Sequence, residues 1–142
     1  MTEPMSVPIA VLLLFTGWTV LVLLLGVGAY RWSMILTGRE PITAFPPEPS
    51  HGPGFYRRAM RAHANCLENL PLLTAVVVAI ELTGTSSLAA DKAAIFLLAA
   101  RIAQSIIHVG FRESQPTVYI RFLFFFSQLI ALAVMAAQIF RA

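Results

Sequence analysis

The segment RRAMRAHANCLENLP, residues 57–71, places charged and polar side chains directly before the apolar run LLTAVVVAI. In a helix, Arg58, Arg61, Asn65 and Glu68 lie three or four residues apart and therefore share one face. Glu68 lies roughly 15 Å along that helix from Arg58. A carboxylate at such a depth in a bilayer is costly without a partner. The pattern predicts a buried polar site, with snorkelling at the interface as the alternative for the first arginines.

A second polar stripe follows in RIAQSIIH, where polar side chains again recur at helical spacing: Arg101, Gln104, Ser105 and His108. Arg101 lies roughly 14 Å from the end of its helix, which is about the depth of Glu68 in the preceding one. We therefore predict that Glu68 and Arg101 form an ion pair inside the bundle. A purely structural role for that pair is the alternative.

Cationic side chains outnumber the acid in this cluster. Its members are Arg58, Arg61, Arg101, Arg121 and His108, against Glu68. Surplus cationic donors near a membrane surface suit an anionic ligand, because guanidinium groups hydrogen-bond to carboxylates and phosphates. The spacing of His, Cys and carboxylate residues does not predict a metal site. We interpret His63 as an interfacial or packing residue.

The composition indicates which class of protein must position these residues. Of 142 residues, 58% are hydrophobic and 12% are charged, whereas a soluble domain is about 45–50% apolar and about 25% charged. We predict a single integral membrane domain, residues 1–142. The net charge of +3 is small and there is no basic tail, so we expect no nucleic-acid partner. The single cysteine, Cys66, excludes an internal disulfide.

Hydropathy predicts an all-α fold, a bundle of four membrane-spanning helices, since a helix needs about 20 apolar residues to cross the hydrocarbon. The predicted spans are about 7–30, 55–82, 88–110 and 118–140. The loop from Arg31 to Gly54 is dense in Pro and Gly. Lys and Arg concentrate around this loop and around the connection 111–121. The positive-inside rule therefore predicts both basic connections in the cytoplasm and both termini outside.

RAHANCLENLP resembles the second-helix signature of the MAPEG family, the membrane-associated proteins of eicosanoid and glutathione metabolism. The residues that carry the resemblance are Arg61, Ala62, His63, Asn65, Glu68 and Pro71. The stretches RIAQSIIH and RFLFFFSQL are similar to that family as well, so the resemblance covers nearly the whole chain. We interpret the chain as a bacterial member located in the inner membrane.

The resemblance implies a four-helix protomer in a homotrimer, surrounded by membrane lipid. It implies glutathione, as co-substrate, in a crevice between protomers that opens toward the cytoplasm. Arg61, Asn65 and Glu68 match family positions that contact glutathione, and Arg121 matches the arginine held to stabilise the thiolate. A hydrophobic small-molecule substrate would arrive from the bilayer. We add Arg58 and Arg101 to the glutathione-binding residues and His108 to Arg121 as a catalytic candidate.

Three positions depart from the family pattern. Phe125 stands where catalytic members carry Tyr, His108 stands at another Tyr position, and Gln104 stands where some members carry His. Whether the chain is an enzyme is therefore open. One interpretation is a glutathione transferase or peroxidase acting on hydrophobic electrophiles. The alternative is a non-catalytic membrane protein that binds an anionic lipid or another small anion in the same basic crevice. For His108, a packing role is the alternative to a donor or base.

Overall fold

The computed structural model describes residues 4–47 and 52–141. These residues form four long helices and no strand: α1 Val7–Leu36, α2 Gly54–Thr83, α3 Leu88–Gly110 and α4 Gln115–Ile139. Each helix is long and apolar enough to cross a membrane. The predicted all-α bundle with four spans is confirmed, and the protein is an integral membrane protein. The homotrimer stays a prediction.

The first helix extends further than the sequence predicted. It begins after Ser6, whose hydroxyl accepts a hydrogen bond from the Ile9 amide, and continues to Leu36. We placed its end at Tyr30 because Arg31 carries a charge, but YRWSMIL contains no Pro or Gly that would stop a helix. Gly38, at φ +68°, lies just beyond the helix. Part of the Pro-rich loop, residues 48–51, lies outside the described residues.

A π-helical segment, Val22–Gly28, interrupts α1 at the point where it crosses α2. Such wider turns often occur at functional positions of helices. Gly26 faces Ala59 of α2 so closely that a Cβ atom on Gly26 would lie 2.8 Å from the Ala59 Cβ. The Gly26 backbone therefore packs directly on the Ala59 methyl group, which only the smallest residues permit.

Short connections fix the order of the remaining helices. Gly84, at φ +64°, ends α2, and the Ser87 hydroxyl accepts a hydrogen bond from the Ala90 amide to start α3. Residues 111–114 join α3 to α4, which begins with a capping box between Ser114 and Thr117. We call the end of the bundle that carries the 37–53 and 111–114 connections the basic end.

The interior changes character along the bundle. Away from the basic end, a core of apolar side chains joins the helices: Val11, Phe15, Leu73, Val77, Ile80, Leu97 and Met135. Toward the basic end, the buried face of α3 turns polar, with Arg101, Gln104, Ser105 and His108. Many large apolar side chains point outward, as expected where lipid and not water is the solvent. The buried polar stripe of α3 thus lies in the half of the bundle nearer the basic end.

Candidate functional site

A cavity of about 340 Å³ opens on α2, α3 and α4 at the basic end. Its lining combines polar and aromatic residues: Asn65, Glu68, Gln104, His108, Val118, Arg121, Phe122 and Phe125. The polar face of α2 and the polar stripe of α3 thus meet at this cavity, as the sequence predicted for Asn65, Glu68 and His108. A concave site with a few polar groups and apolar walls is typical of small-molecule binding.

A second cavity, of about 260 Å³, lies beside the first. It is lined by Gly54, Arg57, Arg58, Arg61 and Glu113. The Arg58 guanidinium is anchored here, because its Nε donates to the Val109 carbonyl at 3.2 Å. Two predicted ligand-binding arginines, Arg58 and Arg61, therefore share one cavity next to the one that holds Asn65 and Glu68.

Glu113, on the connection between α3 and α4, lines the second cavity and contacts Arg121 of the first. Its Oε1 accepts a hydrogen bond from Arg61 Nη1 at 3.2 Å and from Arg121 Nη2 at 3.2 Å. The Arg121 hydrogen bond and the positive charge of Arg61 hold the pKa of the Glu113 carboxyl below its ordinary value. We call the two cavities and this bridge, taken together, the crevice. Sequence reasoning missed Glu113, which we treated only as part of a short connection.

Arg121 is held at three points and still reaches the cavity. Its Nη1 donates to His108 Nδ1 at 2.9 Å, its Nη2 donates to Glu113, and its backbone carbonyl accepts from Gln104 Nε2 at 2.8 Å. Only 9% of the residue is exposed. A guanidinium fixed in this way is preorganised, since little side-chain freedom remains to be lost on binding.

The contact with Arg121 defines the hydrogen-bonding state of His108. Arginine can only donate, so His108 Nδ1 accepts and the ring hydrogen of the neutral imidazole lies on Nε2. The Asn65 side-chain amide lies 3.1 Å from Nε2, measured to its Nδ2. Because Nε2 donates, the amide must present its oxygen there, which leaves its NH₂ group for another partner. His108 thus links Asn65 of α2 to Arg121 of α4.

Two buried glutamines, one on α3 and one on α4, support the position of Arg121 through further hydrogen bonds. Gln128 Nε2 donates to Gln104 Oε1 at 3.1 Å and to the Phe124 carbonyl at 2.8 Å. Gln104 in turn donates a hydrogen bond to the backbone carbonyl of Arg121. Buried amides that hydrogen-bond in series fix the rotation of one helix against another. Gln104 therefore joins α3 to α4.

Arg101 lies apart from both cavities. Its residue is 1% exposed, its guanidinium lies 5.8 Å from the centre of the Phe15 ring, and its Nε and Nη2 atoms have no hydrogen-bond partner among the described residues. Glu68 is exposed, and the ion pairs that the described residues form both involve Glu113. The predicted Glu68–Arg101 ion pair is therefore wrong within the chain, because equal depth does not place two side chains on facing sides of their helices.

The remaining polar residues near Arg101 contribute to packing. Trp18 Nε1 donates to Ser105 Oγ at 3.2 Å, and Cys66 Sγ lies 3.8 Å from the same hydroxyl. His63 Nδ1 lies 3.2 Å from the Thr19 carbonyl, which agrees with its interpretation as a packing residue. Among the described residues, no group of His, Cys, Asp and Glu is arranged to hold a metal ion.

Phe125 lines the cavity with a ring that has no hydroxyl group. Tyr119, the nearest tyrosine along α4, is 68% exposed and does not line the cavity. The hydrogen-bonding groups on the cavity wall therefore belong to Asn65, Glu68, Gln104, His108 and Arg121, and the aromatic side chains supply apolar surface.

Comparison with known proteins identifies the family of the chain. No curated protein was found to match the chain. A family model described as the MAPEG family matches residues 8–141, which is nearly the entire chain and includes every residue of the crevice. With its four membrane-spanning helices and the polar sequence of its second helix, the chain belongs to the MAPEG family, the membrane proteins of glutathione and eicosanoid metabolism.

Proposed function

We propose that the protein binds glutathione in the crevice and uses it as a transferase or peroxidase on hydrophobic electrophiles. The observation that carries the proposal is the meeting of Asn65, Glu68, His108 and Arg121 around one cavity, beside a second cavity lined by arginines. Family membership supports glutathione as the ligand. The charges of the crevice independently favour a small anion with one cationic group.

The crevice offers a partner for each charged group of glutathione. The tripeptide has two carboxylates, and Arg58 and Arg61 supply guanidinium donors that bind carboxylates through paired hydrogen bonds. Its ammonium group finds a carboxylate at Glu68, and the free NH₂ group of Asn65 can donate to a peptide carbonyl. Arg101 lines neither cavity, so we assign it no contact with the ligand.

In this proposal Arg121 provides the chemistry that glutathione needs. A guanidinium close to the sulfur favours the thiolate over the thiol, and the thiolate is the nucleophile. The sulfur then bonds to the electrophilic carbon while the leaving group departs with its electron pair. His108 is a positioning residue here, since its Nδ1 is engaged in holding Arg121. Val118, Phe122 and Phe125 form an apolar wall for a lipid-soluble substrate.

We further propose that the crevice is completed by a neighbouring protomer of a homotrimer. Glu68, Phe122 and the guanidinium of Arg61 are exposed on one chain, so a second chain has polar and apolar surface to cover there. The basic end faces the cytoplasm in this arrangement, with both termini outside, because Lys and Arg of short loops remain on the cytoplasmic side.

Calorimetry of glutathione binding to the detergent-purified protein tests the proposal. We expect saturable binding that is lost or weakened at least about tenfold in Arg61→Ala, since a charged hydrogen bond contributes about 1.5–3 kcal/mol. Arg39→Ala is the matched control, because Arg39 is an exposed arginine that lines neither cavity. A folded wild-type protein that does not bind millimolar glutathione would exclude the transferase and peroxidase.

Phe125 favours a second candidate function, the binding of an anion without catalysis. A ring without a hydroxyl group supplies no hydrogen bond to a sulfur, yet the arginines remain. An anionic lipid headgroup is the candidate ligand, since basic pockets at the membrane surface bind such groups. Glutathione binding without turnover of any aryl halide or lipid hydroperoxide would favour ligand binding alone. Absence of glutathione binding, together with retention of anionic lipid after purification, would favour the lipid.

A further inference from the structure

Glu113 occupies a position that an anionic ligand would also occupy. Its carboxylate accepts hydrogen bonds from Arg61 and from Arg121, which belong to different cavities. The side chain is 56% exposed, so solvent and ligand can both reach it. In the structure, the protein itself thus supplies a carboxylate to two arginines of the proposed glutathione site.

We infer that Glu113 is an internal competitor that an anionic ligand must displace from Arg61 and Arg121. The bridge links Arg61, which lines the cavity of about 260 Å³, to Arg121, which lines the cavity of about 340 Å³. Displacement of the Glu113 side chain makes the Nη atoms that it occupies on both arginines available to a ligand, while His108 still holds Arg121 Nη1. The inference rests on the proposed function in taking glutathione as the ligand, and it adds the residue that regulates access to the site.

The surroundings of Glu113 allow this displacement. Helix α3 ends at Gly110 and the capping box of Ser114 and Thr117 fixes the start of α4, so Glu113 lies on a short connection whose ends are held independently. Ion pairs between exposed side chains contribute only about 0–1 kcal/mol. A ligand carboxylate that is also held elsewhere in the crevice can therefore replace the Glu113 carboxylate at little cost.

The bridge also determines which anions bind. One carboxylate shared by two arginines cancels half of their positive charge before any ligand arrives. A monocarboxylate gains little by exchanging with Glu113, because one pair of hydrogen bonds replaces another. A peptide with two carboxylates and an ammonium group gains contacts with Arg58 and Glu68 in addition. Glu113 therefore favours glutathione-like dicarboxylates over simple anions.

The first test compares glutathione affinity in Glu113→Gln with the wild type at low ionic strength. We expect binding to tighten about twofold to fivefold, because the competing charge is gone while the side-chain shape is kept. Glu40→Gln, which removes the same charge from an exposed acid lining neither cavity, should leave the affinity unchanged. Glu113→Asp keeps the charge and should retain most of the competition. Equal or weaker binding in Glu113→Gln would overturn the inference.

The second test needs no glutathione. Phenylglyoxal, which reacts with accessible arginine side chains, is applied to the same variants, and modification of each arginine is followed by mass spectrometry. Arg61 and Arg121 should react severalfold faster in Glu113→Gln than in the wild type or Glu40→Gln, with Arg39 as the internal reference. Unchanged rates at both arginines would overturn the inference, even if glutathione binding had tightened. Faster rates without glutathione binding in any variant would support the bridge and reject the proposed ligand.

Discussion

Two buried arginines on neighbouring helices, Arg101 and Arg121, are held in different ways. Arg101 is 1% exposed and rests over the Phe15 ring, and within residues 4–47 and 52–141 its Nε and Nη2 have no hydrogen-bond partner. Arg121 is 9% exposed, donates to His108 and Glu113, and lines a cavity. The two residues have similar burial but different uses. A binding residue is distinguished by fixed partners on one side and open space on the other, and Arg101 has neither in a single chain.

Replacing each arginine with leucine separates the two roles most strongly. Arg121→Leu should lower the rate of glutathione transfer to an aryl halide about 100- to 1000-fold, the typical cost of removing one preorganised charged donor. Arg101→Leu should change that rate far less, because Arg101 lines neither cavity. Initial rates at saturating glutathione measure the effect. A loss in Arg101→Leu as large as in Arg121→Leu would break the comparison and place Arg101 at the ligand.

Stability should respond in the opposite order. Arg101→Met removes a buried cation whose Nε and Nη2 have no hydrogen-bond partner in the described part of the chain, so we expect the free energy of unfolding to stay constant or rise by about 1 kcal/mol. Arg121→Met leaves His108 Nδ1 without its donor and should lower the free energy of unfolding by about 1–3 kcal/mol. Unfolding in a mixed detergent titration measures both variants. Marked destabilisation in Arg101→Met would show that Arg101 has a carboxylate partner, with Glu68 of a neighbouring protomer as the candidate.

The smallest expected effect concerns the Glu113 bridge, which distinguishes Arg121 from Arg101. The pKa of Glu113 is lowered in the folded protein by the Arg121 hydrogen bond and the Arg61 charge, so its carboxylate form stabilises the fold. This contribution is present above the ordinary carboxyl pKa of about 4.5 and is lost as the pH falls through the lowered value. We expect wild type and Glu113→Gln to differ by less than about 1 kcal/mol at pH 7.

Unfolding titrations of both variants from pH 7 to pH 3 measure that difference. It should shrink as the pH falls below about 4.5, since Glu113 of the unfolded chain is protonated there first and folded Glu113 becomes neutral only below its lowered pKa. Glu40→Gln is the control for the loss of an exposed charge. A difference that persists unchanged at pH 3 would mean that the carboxylate charge of Glu113 does not stabilise the fold.

Helical spacing predicted which side chains share a face of one helix. Asn65 and Glu68 line one cavity because residues three apart on α2 share a face, and the stripe of α3 brought His108 to the same place. The fold followed from apolar length alone. Spacing did not predict how one helix is rotated against the next, so Glu68 and Arg101 were matched in depth and yet do not pair.

Features that depend on local backbone conformation were not predicted from the sequence. Glu113 lies in a four-residue connection, and nothing in FRESQPT indicates that its side chain turns toward Arg61 on another helix. The π-helical segment of α1 was likewise not expected, because VLLLGVG reads as an ordinary apolar helix. An acid flanked by a charged residue and a helix start, in a chain with few acids, is the one signal that was available for Glu113.

The contact between Gly26 and Ala59 limits how the crevice can move. Because the Gly26 backbone already packs on the Ala59 methyl group, α2 cannot move closer to α1 at this point, which limits the movement of the α2 segment that carries Arg58 and Arg61. The opposite wall is the 111–114 connection and the first turns of α4. A ligand entering the crevice therefore meets a helix whose position is limited by packing on one side, and the exposed side chain of Glu113 on the other.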